Sequence, residues 1–413
     1  MTTTQINADI VIIGGGIAGL WLLNRLCNDG YNAILFEQDK LGGAQTIASQ
    51  GMIHGGIKYA LGGVLTGASE AIADMPNHWR RCLLGEGDVD LRGAKVLSDH
   101  FYLWSTQSIT SRVSSFFASR VTRGRVDSVP PSARPPVFNT NHFKGKLYKL
   151  ADLVLDVPSV ISVLAHNCRG RIFSIDWKKA KFEQSSSGSI NSLTLQVGSE
   201  TTLAIHAQQF IFSAGEGNER LQSMVSSEKP TMQRRPLRQV LVKHDYDYSL
   251  YAHCMGSNPS PRLTISSHKT RDGKTVWYLG GDLATQGINS SDGEIVDQAK
   301  KELQELFPWL DFGDSEWATL YINRAEPKQK GLIKPDKAFV ATSQTCDNVI
   351  VGWPTKLTLS PNMSDEVISV LKEKNIVPQY TQENLTLQQL PIPEMGIPCW
   401  ESCFNDINET GKD

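Results

Sequence analysis

At 413 residues, with 40% hydrophobic residues, 34 glycines and 19 prolines, the chain is long enough for two intertwined domains and has the composition of a globular protein rich in turns. A formal net charge of -2 gives no reason to expect a nucleic-acid partner, and no apolar run approaches the roughly 18–20 residues that span a bilayer. The seven cysteines (Cys27, Cys82, Cys168, Cys254, Cys346, Cys399, Cys403) are scattered and form no disulfide framework; Cys399 and Cys403 lack two further zinc ligands, so no metal is expected.

The opening MTTTQINADIVIIGGG has neither a basic segment nor a signal-type apolar run, which predicts a cytoplasmic protein. Ala8–Ile13 is short and continuously apolar, as a parallel strand buried on both faces requires. It leads into Gly14-Gly15-Gly16-Ile17-Ala18-Gly19, a G-x-G-x-x-G. A helix is expected over Ile17–Asp29, with Leu20, Leu23 and Cys27 on one side and Gly30 ending it. Ala33–Phe36 follows as a second strand that closes on Glu37. In such a unit Gly14 permits the tight turn, Gly16 lets backbone N–H groups approach a pyrophosphate, and Gly19 lets helix and strand pack closely. The helix N-terminus faces the phosphate charge, and Glu37 is placed to accept hydrogen bonds from adenosine ribose hydroxyls.

Three later stretches separate FAD from NAD. Leu41–Tyr59, rich in glycine and small residues, lets the chain run close along an extended cofactor, where an NAD-binding half would proceed to its next helix and strand. Ala151–Ser159 leads into a helix over Val160–Asn167, and after a hairpin-like region Gln209–Asn218 repeats the passage from apolar strand to glycine-rich turn. Asn348–Gly352 is a further short strand. Trp353–Pro361 then opens a helix running to about Lys372, whose N–H groups and positive end face an anionic ring. FAD is therefore the expected cofactor. The residues expected to hold it are Gly14, Gly16, Ile17, Ala18, Gly19, Glu37, Gln38, Gly43, Ala44, Ser49, Gln50, Gly51, Met52, Val157, Ser213, Ala214, Gly215, Lys356, Leu357 and Thr358.

Two stretches, 77–145 and 226–320, interrupt these segments. Gln239–Lys243, Arg262–Ser266 and Val276–Leu279 read as strands, with Asp272-Gly273 as a hairpin turn and a helix at about Ile295–Leu306. The expected fold is α/β (α+β overall). A discontinuous Rossmann-like FAD-binding domain (1–76, 146–225 and 321–374) carries an inserted antiparallel-sheet substrate domain (77–145 and 226–320). Residues 375–413, with Pro378, Pro391, Pro393 and Pro398, read as an extended strap. Leu390, Ile392 and Trp400 offer it an alternative contact with a partner or a membrane surface.

The order of these segments resembles the D-amino-acid-oxidase (DAO) superfamily of FAD oxidoreductases. Within it, Ile53-His54-Gly55-Gly56-Ile57-Lys58-Tyr59 resembles the I-H-G-G-[LI]-[RK]-Y stretch of FAD-dependent glycerol-3-phosphate dehydrogenases, and the related I-H-A-G stretch of 2-hydroxyglutarate oxidases. Two features depart from those dehydrogenases: Trp353-Pro354-Thr355-Lys356 replaces a glycine-containing motif, and their additional C-terminal domain is not found. The resemblance implies that Lys58 and Tyr59 contact substrate. It implies that Arg324, in Ile322–Pro327, is a substrate-binding arginine, and that Lys356 is the lysine opening the last cofactor helix.

His54 has the acid–base chemistry of a proton acceptor. It is alternatively a packing residue against the flavin, or the covalent attachment point found in some relatives. His244, His253 and His268 lie in the substrate half, and nothing in the sequence ranks them. The expected reaction is oxidation of a small anionic CH–OH substrate, a polyol phosphate or 2-hydroxy acid, by hydride transfer to flavin. An amino acid or amine (CH–NH) is the rival substrate, and a flavin-binding protein without turnover or a pure NAD enzyme are the rival classes. The sequence leaves oxygen, a quinone and a soluble carrier open as electron acceptor.

Overall fold

A computed structural model describes residues 2–55, 72–105, 126–198, 200–258, 260–328, 337–380 and 387–409. Its first eight-stranded sheet has the order Ala180–Gln184, Ile190–Val197, Thr201–Phe212, Thr2–Ile13, Ala33–Glu37, Ile172–Ser174. Val349–Trp353 joins parallel to the far end of Thr201–Phe212, and Phe339–Thr342 pairs antiparallel with it. The centre is parallel, with Thr2–Ile13 between Thr201–Phe212 and Ala33–Glu37. This strand starts earlier than its apolar run because Thr2–Ile6, rich in β-branched residues, pairs with Thr201–Ile205.

Period-two alternation sends Ile10 and Ile12 to one face and Val11 and Ile13 to the other. Against the first face pack helices Ile17–Asn28, Val157–Asn167 and Ser360–Glu373, through Leu20, Leu23, Ile161, Leu164, Val367 and Leu371. Each such side chain stabilises by about 1.5–3 kcal/mol relative to exposure. Phe173, Phe182, Phe210, Phe212 and Trp353 cover the opposite face. The middle helix begins at Val157, three residues before its apolar periodicity. The Asp156 carboxylate caps Ser159 N–H at 3.1 Å, and Pro158 sits in the first turn, where its missing N–H costs nothing.

The second eight-stranded sheet has the order Glu316–Pro327, Met232–His244, Thr275–Gly280, Pro261–Lys269, Ala252–Met255, Phe101–Ser105, Leu147–Leu150, Val126–Ser128. All its pairings are antiparallel except that of Ala252–Met255 with Phe101–Ser105. Helix Asp292–Leu306 covers one face through Ile295, Ala299 and Leu303. It starts three residues before the expected Ile295 because Ser291 and Glu294 form a capping box. A three-stranded sheet of Met52–Ile53, Leu153–Leu155 and Val96–Ser98 lies apart from both.

The two large sheets divide the chain differently from the sequence boundaries. Helix Met75–Leu84 crosses residue 77, yet it buries Trp79 and Cys82 in the first sheet's core, because its apolar side faces Trp21. Leu147–Leu150 lies within 146–225 but pairs with Phe101–Ser105 in the second sheet. Glu316–Pro327 runs unbroken through residue 321.

The C-terminal stretch is only partly extended. Ser174 N–H donates to Pro391 O, and Leu41 N–H to Glu394 O, so this stretch straps the first sheet's edge. Cys399–Glu409 then forms a helix that the prolines before it obscure. Its Trp400 and Phe404 cover Leu241, Val276 and Tyr278 on the second sheet. Trp400 is thereby removed from any surface contact, whereas Ile392 is exposed. Among the described residues no helix is long and apolar enough to cross a membrane.

Near Met75–Leu84, Asp88 accepts hydrogen bonds from Trp21 Nε1 (3.1 Å), Arg25 Nη1 (3.0 Å), His78 Nε2 (2.7 Å) and the Cys82 thiol (3.2 Å). Burial opposes its charge, but the hydrogen bonds and the charge of His78 win, and the carboxyl lies well below the usual aspartate range. Burial, with Asp88 adjacent, pushes the Cys82 thiol up to about 12. The three groups lie within 4.8 Å of one another, and the donors around Asp88 make them a hydrogen-bonded hub.

Candidate active site

A cleft of about 1130 Å³ opens where four strands of the first sheet end: at Ile13-Gly14, Glu37, Ser213 and Trp353. Crevices outside the carboxyl ends of parallel strands are where open α/β sheets bind ligands. The opposite wall is the second sheet, from which Arg235, Leu237, Gln239, Gly280, Ile322 and Arg324 project. Alternation along Met232–His244 and Glu316–Pro327 puts these strand residues on one face, with Arg235 directly opposite Arg324.

The first wall is built of backbone and small side chains. Gly14 has φ +117°, and an added Cβ would lie 2.6 Å from Ala214 Cα; at Gly19 it would lie 1.9 Å from Gly14 O. These two glycines let the turn, the helix and Ser213 meet. At Gly16 the nearest atom is Thr46 Oγ1 at 3.1 Å, and at Gly215 (φ +58°) nothing lies within 4 Å, so the backbone there faces open cleft. The helix after Gly16 has no acidic residue in its first turn, which leaves its N-terminus positive toward the cleft. Ser49 Oγ is buried at this wall without a hydrogen-bond partner among the described residues. A long cofactor with an anionic middle and polar edges fits these residues.

Most residues expected from the sequence come together here. Gly14, Gly16, Ile17, Ala18, Glu37, Gln38, Gly43, Ala44, Ser49, Gln50, Gly51, Met52, His54, Ser213, Ala214, Gly215, Arg324, Lys356, Leu357 and Thr358 all line the cleft. Gly19 acts behind the wall. Val157 does not line it: it opens its helix inside the core and is 1% exposed. Lys58 and Tyr59 lie outside the described residues. Glu37 has a structural task as well, since its Oε2 accepts Gly15 N–H at 2.5 Å and its Oε1 accepts Asp39 N–H at 2.9 Å.

His54 is buried at the cleft and has a partner that the sequence did not reveal. Its Nδ1 lies 3.2 Å from Asp152 Oδ2, and Asp152 Oδ1 accepts Gly55 N–H at 2.8 Å. A carboxylate only accepts, so Nδ1 carries a proton in this contact. His253 stacks on the ring at 5.7 Å, with its own Nδ1 2.8 Å from Thr264 Oγ1. Thr358 Oγ1 accepts His54 N–H at 3.2 Å and donates to Met52 O at 3.3 Å, tying this loop to the last helix. Just before that helix Thr355 has φ +62°, a strained value for a β-branched residue, and leads into Lys356.

Of the other histidines, only His253 lines the cleft. His244 packs among Tyr246, Trp277 and Phe312, and burial lowers it to about 4. His268 stacks on Trp400 at 3.8 Å, and burial lowers it to about 3. Arg235, unmarked by any motif, pairs with fully buried Glu326. Neither Asp152 nor Arg235 carries a local signal, because each acquires its role only through a partner distant in sequence.

A strand-end cleft with a glycine-built wall, facing a second sheet that carries cationic and polar side chains, defines a flavoprotein oxidoreductase. The family comparison is specific: residues 9–353 match the DAO family model, FAD dependent oxidoreductase, and the chain belongs to that family. It is 46% identical over 400 residues to the probable FAD-dependent oxidoreductase PA4991 of Pseudomonas aeruginosa, covering 97% of this chain and 99% of that protein. The crystal structure of that protein superposes with a TM-score of 0.83 at 41% identity, over 98% of this chain and 100% of the other. The fold is shared with glycine oxidase from Geobacillus kaustophilus (TM-score 0.62, 15% identity, 91% and 96% covered). It is shared equally with L-alpha-glycerophosphate oxidase from Mycoplasma pneumoniae, solved with FAD bound (TM-score 0.62, 12% identity, 96% and 100% covered). The protein is thus an FAD-dependent enzyme.

Proposed function

We propose that this chain oxidises a small anionic substrate, a 2-hydroxy acid or polyol phosphate, at the carbon bearing its hydroxyl. FAD, when bound along the glycine-built wall, supplies the two-electron acceptor. The observation that carries the reading is Arg324 on the cleft face of the second sheet. Arg324 Nε donates to Arg235 O at 3.3 Å, which holds the side chain at the cleft, and a guanidinium lining the cleft suits a substrate carboxylate or phosphate. Holding that anion fixes the reacting carbon within attack distance.

His54 lies on the other side of the cleft with its tautomer set by Asp152, as a group that takes up the hydroxyl proton must be. The second sheet faces this space as its other wall. The test is anaerobic bleaching of the yellow holoenzyme by a panel of 2-hydroxy acids and polyol phosphates against the matching 2-amino acids. Bleaching by the first group supports the reading, and bleaching by amino acids alone contradicts it. A holoenzyme that none of these reduces would instead be a flavin-binding protein without turnover.

A further inference from the structure

Along the cleft face of strands Met232–His244 and Glu316–Pro327 the side chains change character step by step. Register pairs Gln233 with Glu326, Arg235 with Arg324, Leu237 with Ile322, and Gln239 with Leu320. Alternation puts these pairs on one face of the ladder. The two arginines are therefore flanked by a carboxylate on one side, that of fully buried Glu326, and by an apolar pair on the other.

Leu237 and Ile322 both line the cleft and are half-buried. Among the described residues, neither takes part in the hydrophobic cores that pack the two large sheets. Single apolar side chains at a surface need no explanation, but two that face each other inside a polar cleft do. Directly opposed residues of an antiparallel pair hold their Cβ atoms about 4.5–5.5 Å apart, so these two make one apolar surface. It begins two residues from Arg324, about 7 Å along the strand. Gln239, two residues beyond Leu237, ends it.

We infer that Leu237 and Ile322 are the subsite for the substrate's side chain, and that the substrate is a 2-hydroxy acid with a short apolar side chain. The inference rests on the proposed function and narrows its substrate class. A carboxylate held by Arg324 leaves the side chain of the reacting carbon a few bonds from the apolar pair. A second carboxylate would meet either Glu326, like charge against like, or a surface that cannot solvate it. The further hydroxyls of a polyol phosphate would lose hydrogen bonds on the same surface.

The experiment uses the FAD-loaded protein and its Leu237→Ala and Ile322→Thr variants. Ile322→Thr keeps the β-branched shape that a strand favours, so it reports even where Leu237→Ala fails to fold. Anaerobic bleaching is followed against concentration for the 2-hydroxy acid carrying leucine's side chain, for malate, for glycerol phosphate, and for leucine and aspartate. FAD per protein is read from the visible absorbance. Wild type should be half-saturated by the leucine-like hydroxy acid at the lowest concentration. Leu237→Ala should narrow its advantage over malate roughly 10- to 100-fold, and Ile322→Thr roughly tenfold, with FAD content unchanged in both.

A wild type that prefers malate or glycerol phosphate would overturn the inference and leave the proposed function standing. Variants that keep the wild-type ranking would also overturn it, and those that lose FAD while keeping that ranking would assign the apolar pair to the flavin. Bleaching by the amino acids alone, or by none of the five compounds, would strike the proposed function itself and the inference with it.

Discussion

The two walls of the cleft are made differently. The first sheet's side presents mainly glycine, alanine and serine at its turns, with Glu37 and Lys356 at their edges; the second sheet presents arginine, glutamine and histidine from its strands. A backbone wall recognises what every member of a flavin family shares, and substituting it disturbs the turn itself. A side-chain wall can change its ligand without changing the fold.

The comparison is broken most severely at Gly14. Valine there must adopt φ +117° and push a Cβ toward the Ala214 backbone. Strain of this kind costs of order 1–3 kcal/mol before the clash is counted. The expected outcome is protein that purifies colourless or insoluble, checked by visible absorbance; a yellow, fully loaded variant would show that the first wall does not depend on this turn.

Asp152 comes next. Asp152→Asn leaves one amide oxygen for two donors, His54 Nδ1–H and Gly55 N–H, and removes the charge beside the ring; if His54 takes the substrate proton, reduction of the flavin should slow by about 10²-fold or more, with an altered pH profile. An unchanged profile would reduce His54 to packing.

How much could be read in advance follows the same division. The glycines, the Ser213–Gly215 turn and the helix Ser360–Glu373 were legible because each needs a particular residue at a particular local position. Arg235 opposite Arg324 depends on strand register between segments far apart, and nothing local records it. The helix Cys399–Glu409 was hidden for a related reason: it is held by Trp400 and Phe404 against the second sheet, and four prolines precede it within the C-terminal stretch. The boundary expected at residue 77 cuts helix Met75–Leu84, which packs through Trp79 on Trp21, a contact that chain order does not reveal.

The smallest effect sharpens the comparison by leaving the cleft alone. Asp88 braces helix Met75–Leu84 away from both walls. Its carboxyl is held below the ordinary aspartate value of about 3.9. It therefore stabilises the fold above that value, and the contribution is lost as pH falls toward its own depressed one. Asp88→Asn should cost about 1–3 kcal/mol at neutral pH, read by thermal denaturation, and should flatten the loss of stability on acidification. FAD content at room temperature should not change.

The division of labour is tested most directly by Arg324→Ala. FAD per protein and the concentration dependence of anaerobic bleaching by the wild-type substrate are measured on one preparation. The account predicts full FAD content with a loss of about 2–3 kcal/mol in substrate recognition, roughly a 30- to 150-fold rise in the half-saturating concentration. Loss of FAD in parallel with substrate affinity, or no loss of either, would contradict it.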